Sequence, residues 1–390
     1  MKRILVRAIA LIVGVAGAAT CGVAQSLEDL NVQIHGYATQ GFVYTTQNNI
    51  FTMNTSNYGS PAWTEAVVGV SLQPTRGLRI GVQARYELLG NLYNQITLDW
   101  AQADYKLNDQ VGIRVGKVKT PWGLFNEVQD IDPAYTWTLL PQSVYPLPSR
   151  NSYLTHYGPI IYGRSKLGHK LGKLEYDGWA GEGLYVKNDG VFLAENEAGY
   201  SLPNGIQGWL YGAALHWITP FPGLMVGASD LHTDRWSAPF TGQNGAINGT
   251  QTLAGMSQPN YFAMFEKKKF MLAYEYCRNW SNTINSPAIP AALTGRTDPR
   301  EWYAMTTYKV TGKFTAGVYD SQIFDHDAPL GPARYQKDWA ISGRYDINPF
   351  LYVKAEQHFI QGTNLGYDAD LNPNLQPNTK LTALKVGVSF

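Results

Sequence analysis

Cysteine is almost missing from this 390-residue chain: Cys21 and Cys277 are the only two. Cys21 falls inside an N-terminal leader pattern, so a mature chain keeps one thiol and can form no internal disulfide. The net charge of +1 supplies no basic surface for nucleic acid. No apolar run makes a membrane helix of ~20 residues. The nearest, residues 208–218 followed by 224–228, is cut by Pro220, Pro222 and Gly223 and reads as a hairpin. Enzyme and metal motifs fail as well. Gly112–Lys117 lacks the spacing and the Ser/Thr of a phosphate loop, and no Gly-x-Ser-x-Gly elbow occurs. Asp325-His326-Asp327 reads as solvated loop rather than a metal site. Asp368–Asn372 starts like a calcium loop, but Pro373 stands where its turn glycine belongs and Thr379 where its bidentate glutamate belongs.

What is present begins with the leader. Lys2, Arg3 and Arg7 precede an apolar stretch over Ala8–Ala19, and Gly22 and Ala24 are small residues placed for cleavage before Gln25. Residues 1–24 are therefore expected to be a signal peptide and 25–390 a single exported domain. Ala18-Ala19-Thr20-Cys21 lacks the leucine of a lipoprotein signal and has threonine where a smaller residue is usual.

The chain holds 25 Tyr, 14 Phe, 11 Trp and 39 Gly, yet its mean hydropathy is only −0.23. Aromatic richness without overall hydrophobicity fits a wall in which alternate residues meet lipid, although a secreted β-rich carbohydrate enzyme has a similar composition. Period-2 alternation marks sixteen segments: Val32–Thr45, Trp63–Gln73, Leu78–Leu88, Gln95–Leu107, Val111–Lys119, Tyr157–Lys166, Leu174–Glu182, Gln207–Ile218, Leu224–Leu231, Asn260–Phe265, Lys269–Arg278, Glu301–Val310, Phe314–Ile323, Asp338–Ile347, Leu351–Ile360 and Lys380–Phe390. Tight turns such as Pro74–Gly77 and Asn348–Phe350 alternate with long polar loops. The predicted fold is all-β, a transmembrane antiparallel β-barrel of about sixteen strands with an inward-folded third loop. In Leu78–Leu88 the even-numbered residues form an apolar face, and Arg79, Arg85 and Glu87 lie on the other. Arginine facing lipid would cost about 2–4 kcal/mol near the midplane, so the charged face points inward. The same parity turns Asp338, Arg344, Lys354, Glu356 and His358 inward, and so many interior ions predict a wet lumen. One strand breaks phase. Ile96, Leu98 and Trp100 have the opposite parity to Ala101, Ala103 and Tyr105, which a bulge near Asp99 would reconcile.

The third long connection, about 120–155, runs too far without a strand to be idle, and Trp122, Phe125, Tyr135, Trp137 and Tyr145 favour packing over disorder. Here the chain resembles the trimeric sixteen-stranded porins of Gram-negative bacteria, whose third extracellular loop enters and narrows the barrel. Val115–Glu127 (VGKVKTPWGLFNE) with Leu140–Tyr145 (LPQSVY) is similar to a subgroup loosely akin to phosphate- or dicarboxylate-selective porins, though without a dense basic ladder. The terminal Phe390 ends an alternating strand and resembles the closing strand of outer-membrane barrels. The resemblance implies a bacterial outer-membrane porin that passes small hydrophilic solutes or ions by diffusion, with no cofactor, no metal and no enzymatic step. It also implies a homotrimer in outer-membrane lipid, with Phe390 as the signal read by the barrel-assembly machinery. Candidate constriction and lumen residues are Arg79, Arg85, Arg114, Lys119, Glu127, Asp130, Asp132 and Arg150, with both signs of charge and hence no stated ion preference. Their alternative role is to pin the loop. A substrate-specific transporter or an outer-membrane hydrolase are the competing readings.

Overall fold

The computed structural model describes residues 30–168, 170–289, 295–365 and 367–390. The leader expected over 1–24 lies outside them. Sixteen strands form the wall: β1 (Gln33–Thr45), β2 (Ser60–Leu72), β3 (Leu78–Leu89), β4 (Tyr93–Lys106), β5 (Gly112–Lys119), β6 (Thr155–Gly168), β7 (Gly172–Tyr185), β9 (Ile206–Ile218), β10 (Leu224–Thr233), β13 (Asn260–Lys267), β14 (Phe270–Arg278), β17 (Pro299–Lys309), β18 (Phe314–Asp325), β19 (Tyr335–Asp346), β20 (Leu351–Gly362) and β21 (Asn378–Ser389). Each pairs antiparallel with the next, and β21 returns to β1 from Tyr37↔Ser389 to Thr45↔Leu381, so the sheet closes. Each of the sixteen predicted segments overlaps one wall strand.

Closure satisfies both edges of every strand, which frees the two faces to divide by polarity. Ile34, Val68, Ile96, Ile161, Leu215 and Ile341 point outward and are 51–73% exposed, whereas inward Glu65, Arg85, Glu87, Lys354 and Glu356 are 2–3% exposed. This inverts the pattern of a soluble sheet. The phase break in β4 is a bulge. Gln83 pairs with Trp100 and Ala84 with Leu98, so Asp99 is the extra residue, and Trp100 turns inward while Ile96 and Leu98 stay outward. Phe390 lies outside the ring, 65% exposed. Its backbone pairs with Gly36, where an added Cβ would come within 2.9 Å of the ring.

Five further strands among the described residues sit beyond the wall at the long-loop end: β8 (Tyr200–Ser201), β11 (Trp236–Gly242), β12 (Ile247–Ser257), β15 (Trp280–Ser286) and β16 (Gly295–Thr297). They pair in the order β8, β11, β12, β15, β16 and, in β11, β12, β15 and β16, continue wall strands β10, β13, β14 and β17 beyond the ring. These lay unrecognised in what the sequence presents as polar loops.

Candidate functional site: the loop across the lumen

The connection from Thr120 to Leu154, here called L3, leaves β5 and returns into β6 through a tied neck. Thr120 N donates to Leu154 O at 3.0 Å, and Asn126 Nδ2 donates to Thr120 O and Tyr153 O at 2.8 and 3.0 Å. Prolines set its internal turns, with Pro133 and Pro148 inside short 3-10 segments. Between the ends of this neck the chain meets inward-facing side chains on wall strands around the ring.

The front leg, Trp122–Phe125, lies against β10, β14 and β17. Gly123 N donates to Ser229 Oγ at 2.9 Å and Leu124 N to Glu275 Oε1 at 2.9 Å. Glu275 is fully buried and also accepts from Tyr145 OH (2.8 Å), Asn260 Nδ2 (2.7 Å) and Tyr303 OH (2.5 Å). Only glycine fits at 123: its φ is +66°, and a Cβ would stand 2.6 Å from Glu275 Oε1. Burial, and then the neighbouring Glu275, push the Tyr145 phenol well above its ordinary value, so it stays a donor.

The back leg runs past β20, β21, β1, β2 and β3. Asp132 meets Lys385 Nζ at 2.8 Å, Lys354 Nζ at 3.1 Å and Tyr352 OH at 2.7 Å. Lys354 Nζ also donates to Asp132 O and Trp137 O. Thr138 N and Leu139 N donate to Glu356 at 3.0 and 3.1 Å, and His358 Nε2 lies 2.9 Å from the same carboxylate while its Nδ1 faces Asp338. Asp130 bonds to Lys119, and Tyr37 OH donates to Asp130 O. At the end of the loop Arg150 pairs with Glu65 and, at 2.7 Å, with Glu87. Arg85 lies 3.7 Å from both Glu87 and the bulged Asp99.

Of the eight candidates, Arg85, Lys119, Asp130, Asp132 and Arg150 thus gather in the seam between loop and wall, none more than 8% exposed. Arg114 and Glu127 form a separate, more open pair at 3.1 Å, with Asp104 at 3.4 Å from Arg114. Arg79 stands apart and exposed near the Pro74–Gly77 turn, bonded to Ser71. At the level of L3 the interior charges that parity turns inward are largely paired. Most of the inward ions at this level find partners on L3 or on each other, so pairing and not hydration offsets their burial. Sequence reading missed Glu65, Glu275, Tyr303 and Lys385 as loop anchors. The available signal was a single carboxylate in an aromatic or apolar strand, as in Trp63–Val70 and Met271–Cys277.

Space is uneven along the axis. Between L3 and the wall a cavity of about 20 Å³ is bordered by Trp63, Glu65, Gln129, Gln142, Arg150 and Lys385, room for about one or two waters. Toward the short-turn end lies a separate vestibule of about 900 Å³ edged by Glu127, Tyr162, Arg164, Glu175, Asp177 and His216.

No protein-family model matches this chain, and no curated protein matches it in sequence. Solved structures do match in fold. OmpF of Salmonella typhi, in complex with daunomycin, is 13% identical with a TM-score of 0.58, covering 94% of this chain and 99% of that one. An anion-selective porin from Comamonas acidovorans gives 9% and 0.57, with 92% and 99% covered. OmpT of Vibrio cholerae, an outer membrane protein in a trimer form, gives 11% and 0.55, again with 92% and 99% covered. At such identities the likeness is one of fold.

Proposed function

We propose, on the premise of a porin fold, that this chain is a bacterial outer-membrane channel for passive diffusion of small hydrophilic solutes or ions, with no chemical step. The observation that carries the reading is the conjunction of a closed ring, apolar outside and ionic inside, with a loop tethered across its lumen at several points. A soluble sheet has no use for an outward apolar band, and a structural plug has no use for a vestibule of about 900 Å³ opening onto it. In this reading Lys119, Asp130, Asp132, Arg150 and Arg85 fix the loop that sets the bore, while Arg114, Glu127 and Arg79 bias ions at the periplasmic mouth. The test is single-channel recording in planar bilayers before and after shortening L3 between Asn126 and Ser149. Conductance rises and larger sugars permeate if the loop sets the bore; an unchanged conductance would place the bore elsewhere.

A homotrimer in outer-membrane lipid is proposed from the fold, with support from a neighbour described in trimer form. Phe390, exposed on the outer surface beside Gly36, is proposed as the mark read by the barrel-assembly machinery. Its deletion lowers folded yield while leaving export intact. The water-sized cavity at the level of L3 favours a second reading, a transporter specific for one solute whose passage requires L3 to move. Saturable uptake into proteoliposomes, in place of linear flux, separates the two.

A further inference from the structure

A second closure lies above L3 at the long-loop end. Residues 48–53 of the β1–β2 connection meet residues 371–376 of the β20–β21 connection in a reciprocal clasp. Asn49 N donates to Asn372 Oδ1 at 2.7 Å, Asn49 Nδ2 donates to Leu371 O at 2.8 Å, and Asn372 Nδ2 returns a bond to Asn49 O at 3.1 Å. Asn48 Nδ2 donates to Gln376 O at 2.7 Å while Gln376 N donates to Asn48 Oδ1 at 2.8 Å. Asn48, Asn49 and Asn372 are 3%, 9% and 9% exposed. On the opposite flank, Asn91 N and Leu92 N of the β3–β4 turn both donate to Thr52 Oγ1 at 3.0 Å. Held from both sides, this segment seats Ile50 in one buried apolar cluster with Leu139 and Leu147 of L3. Beneath it a cavity of about 40 Å³ is bordered by Phe51, Gln142, Asp338 and His358.

The segment is also strained. Phe51 and Thr52 have φ of 54° and 55°, the left-handed region that bulky and β-branched residues avoid. Consecutive residues persist there only where their surroundings over-determine them, and such sites gather at clamps and switches. The two-sided hydrogen bonding supplies that constraint. Loosening it lets 51 and 52 relax away from L3.

We propose that residues 48–53 are a lid, a second barrier to passage seated on L3, latched by Asn48, Asn49, Asn372 and Gln376 and biased toward opening by strain at Phe51–Thr52. The inference rests on the channel reading. Its latch is made of neutral groups, so it responds to hydrogen-bonding geometry far more than to salt.

The test uses the full chain carrying N49C and N372C in planar bilayers. Cys277 is fully buried and does not compete for the new thiols. The oxidised form, cross-link verified by mass, conducts about tenfold less than the reduced form, and reduction restores the current. N49A with N372A removes side-chain bonds on both partners and raises the open fraction by on the order of tenfold. T52N keeps an acceptor and eases the left-handed strain, so it lowers the open fraction. Conductance indifferent to a verified cross-link overturns the lid, as does failure of the cross-link to form. Where the parent is silent, current from N49A/N372A supports the lid, and current from Asp132→Ala, which loosens L3 while keeping Leu139 and Leu147, overturns it if N49A/N372A stays silent. Silence of all three sinks the channel reading and the lid with it.

Discussion

The front leg of L3 meets the wall at Glu275, a buried carboxylate whose four hydrogen-bond donors are all neutral, whereas the back leg meets it through Asp132, Arg150 and Asp130, each paired with an opposite charge. The two attachments fail differently. Removing one donor from Glu275 leaves a carboxylate that still has three. Removing Asp132 leaves two buried ammonium groups facing one another, and uncompensated buried charge is the costlier defect. A loop held in both ways has one leg that tolerates local change and one that does not.

That contrast sets the size of the expected effects. Asp132→Ala leaves Lys354 and Lys385 buried without their shared anion and is expected to cost about 3–5 kcal/mol, read as protease cleavage within L3 and a raised conductance while heat-modifiable mobility persists. Glu275→Gln keeps the shape and one acceptor and is expected to cost about 1–3 kcal/mol, with partial loosening of residues 122–125 by the same protease assay. If the second variant proves the more damaging, the ionic leg is not the one that holds the loop.

Acid sharpens the comparison. Burial alone would push the Asp132 carboxyl up, but Lys354 and Lys385 outweigh it and hold it well below the usual carboxylate range. A depressed carboxyl contributes stability above its unfolded value of ~3.9 and loses it only as pH falls through the lower folded value. Asp130 goes the other way: burial, against Lys119 and with the nearby Asp99, raises it, so its charged form costs stability above the unfolded value and mild acid relieves that cost. Conductance should therefore stay level or fall as pH drops from about 7 to 5. A rise over that range would mean that acid frees the back leg.

The smallest effect belongs to the open pair. Arg114 and Glu127 have side chains 22% and 44% exposed, a setting in which an ion pair contributes about 0–1 kcal/mol. Glu127→Gln should leave L3 seated and shift the reversal potential slightly toward anions in dilute salt. The shift should vanish near 1 M salt, where screening acts within about 3 Å.

The wall was legible because lipid on one side and polar groups on the other impose alternation, and a strand that obeys both prints its parity in the chain. The bulge at Asp99 was legible for the same reason, as a break in that parity. The strands β11, β12 and β15 were not, since they lie above the wall, answer to no lipid face, and carry residues such as Pro239, Asn248 and Asn282 that read as loop. L3 announced itself by length and aromatics. Its anchors did not: Tyr145 meets Glu275 and Asp132 meets Lys385 across separations that leave no local pattern, so the chain could not show that the charges at this level pair with the loop.

One consequence of ring closure concerns time rather than geometry. Most wall strands have a partner made just before or after them, but β1 and β21 join the two ends of the described chain, sealed beyond the last ladder pair by bonds between Gly36 and Phe390. A contact of such high sequence separation is among the slowest to form. Until it forms, the sheet has two raw edges, each a template for pairing with a wrong strand. An intermediate lacking only β21 is therefore no nearer to being sealed than one lacking half the wall, and the whole molecule waits, open to error, on the arrival of its final strand.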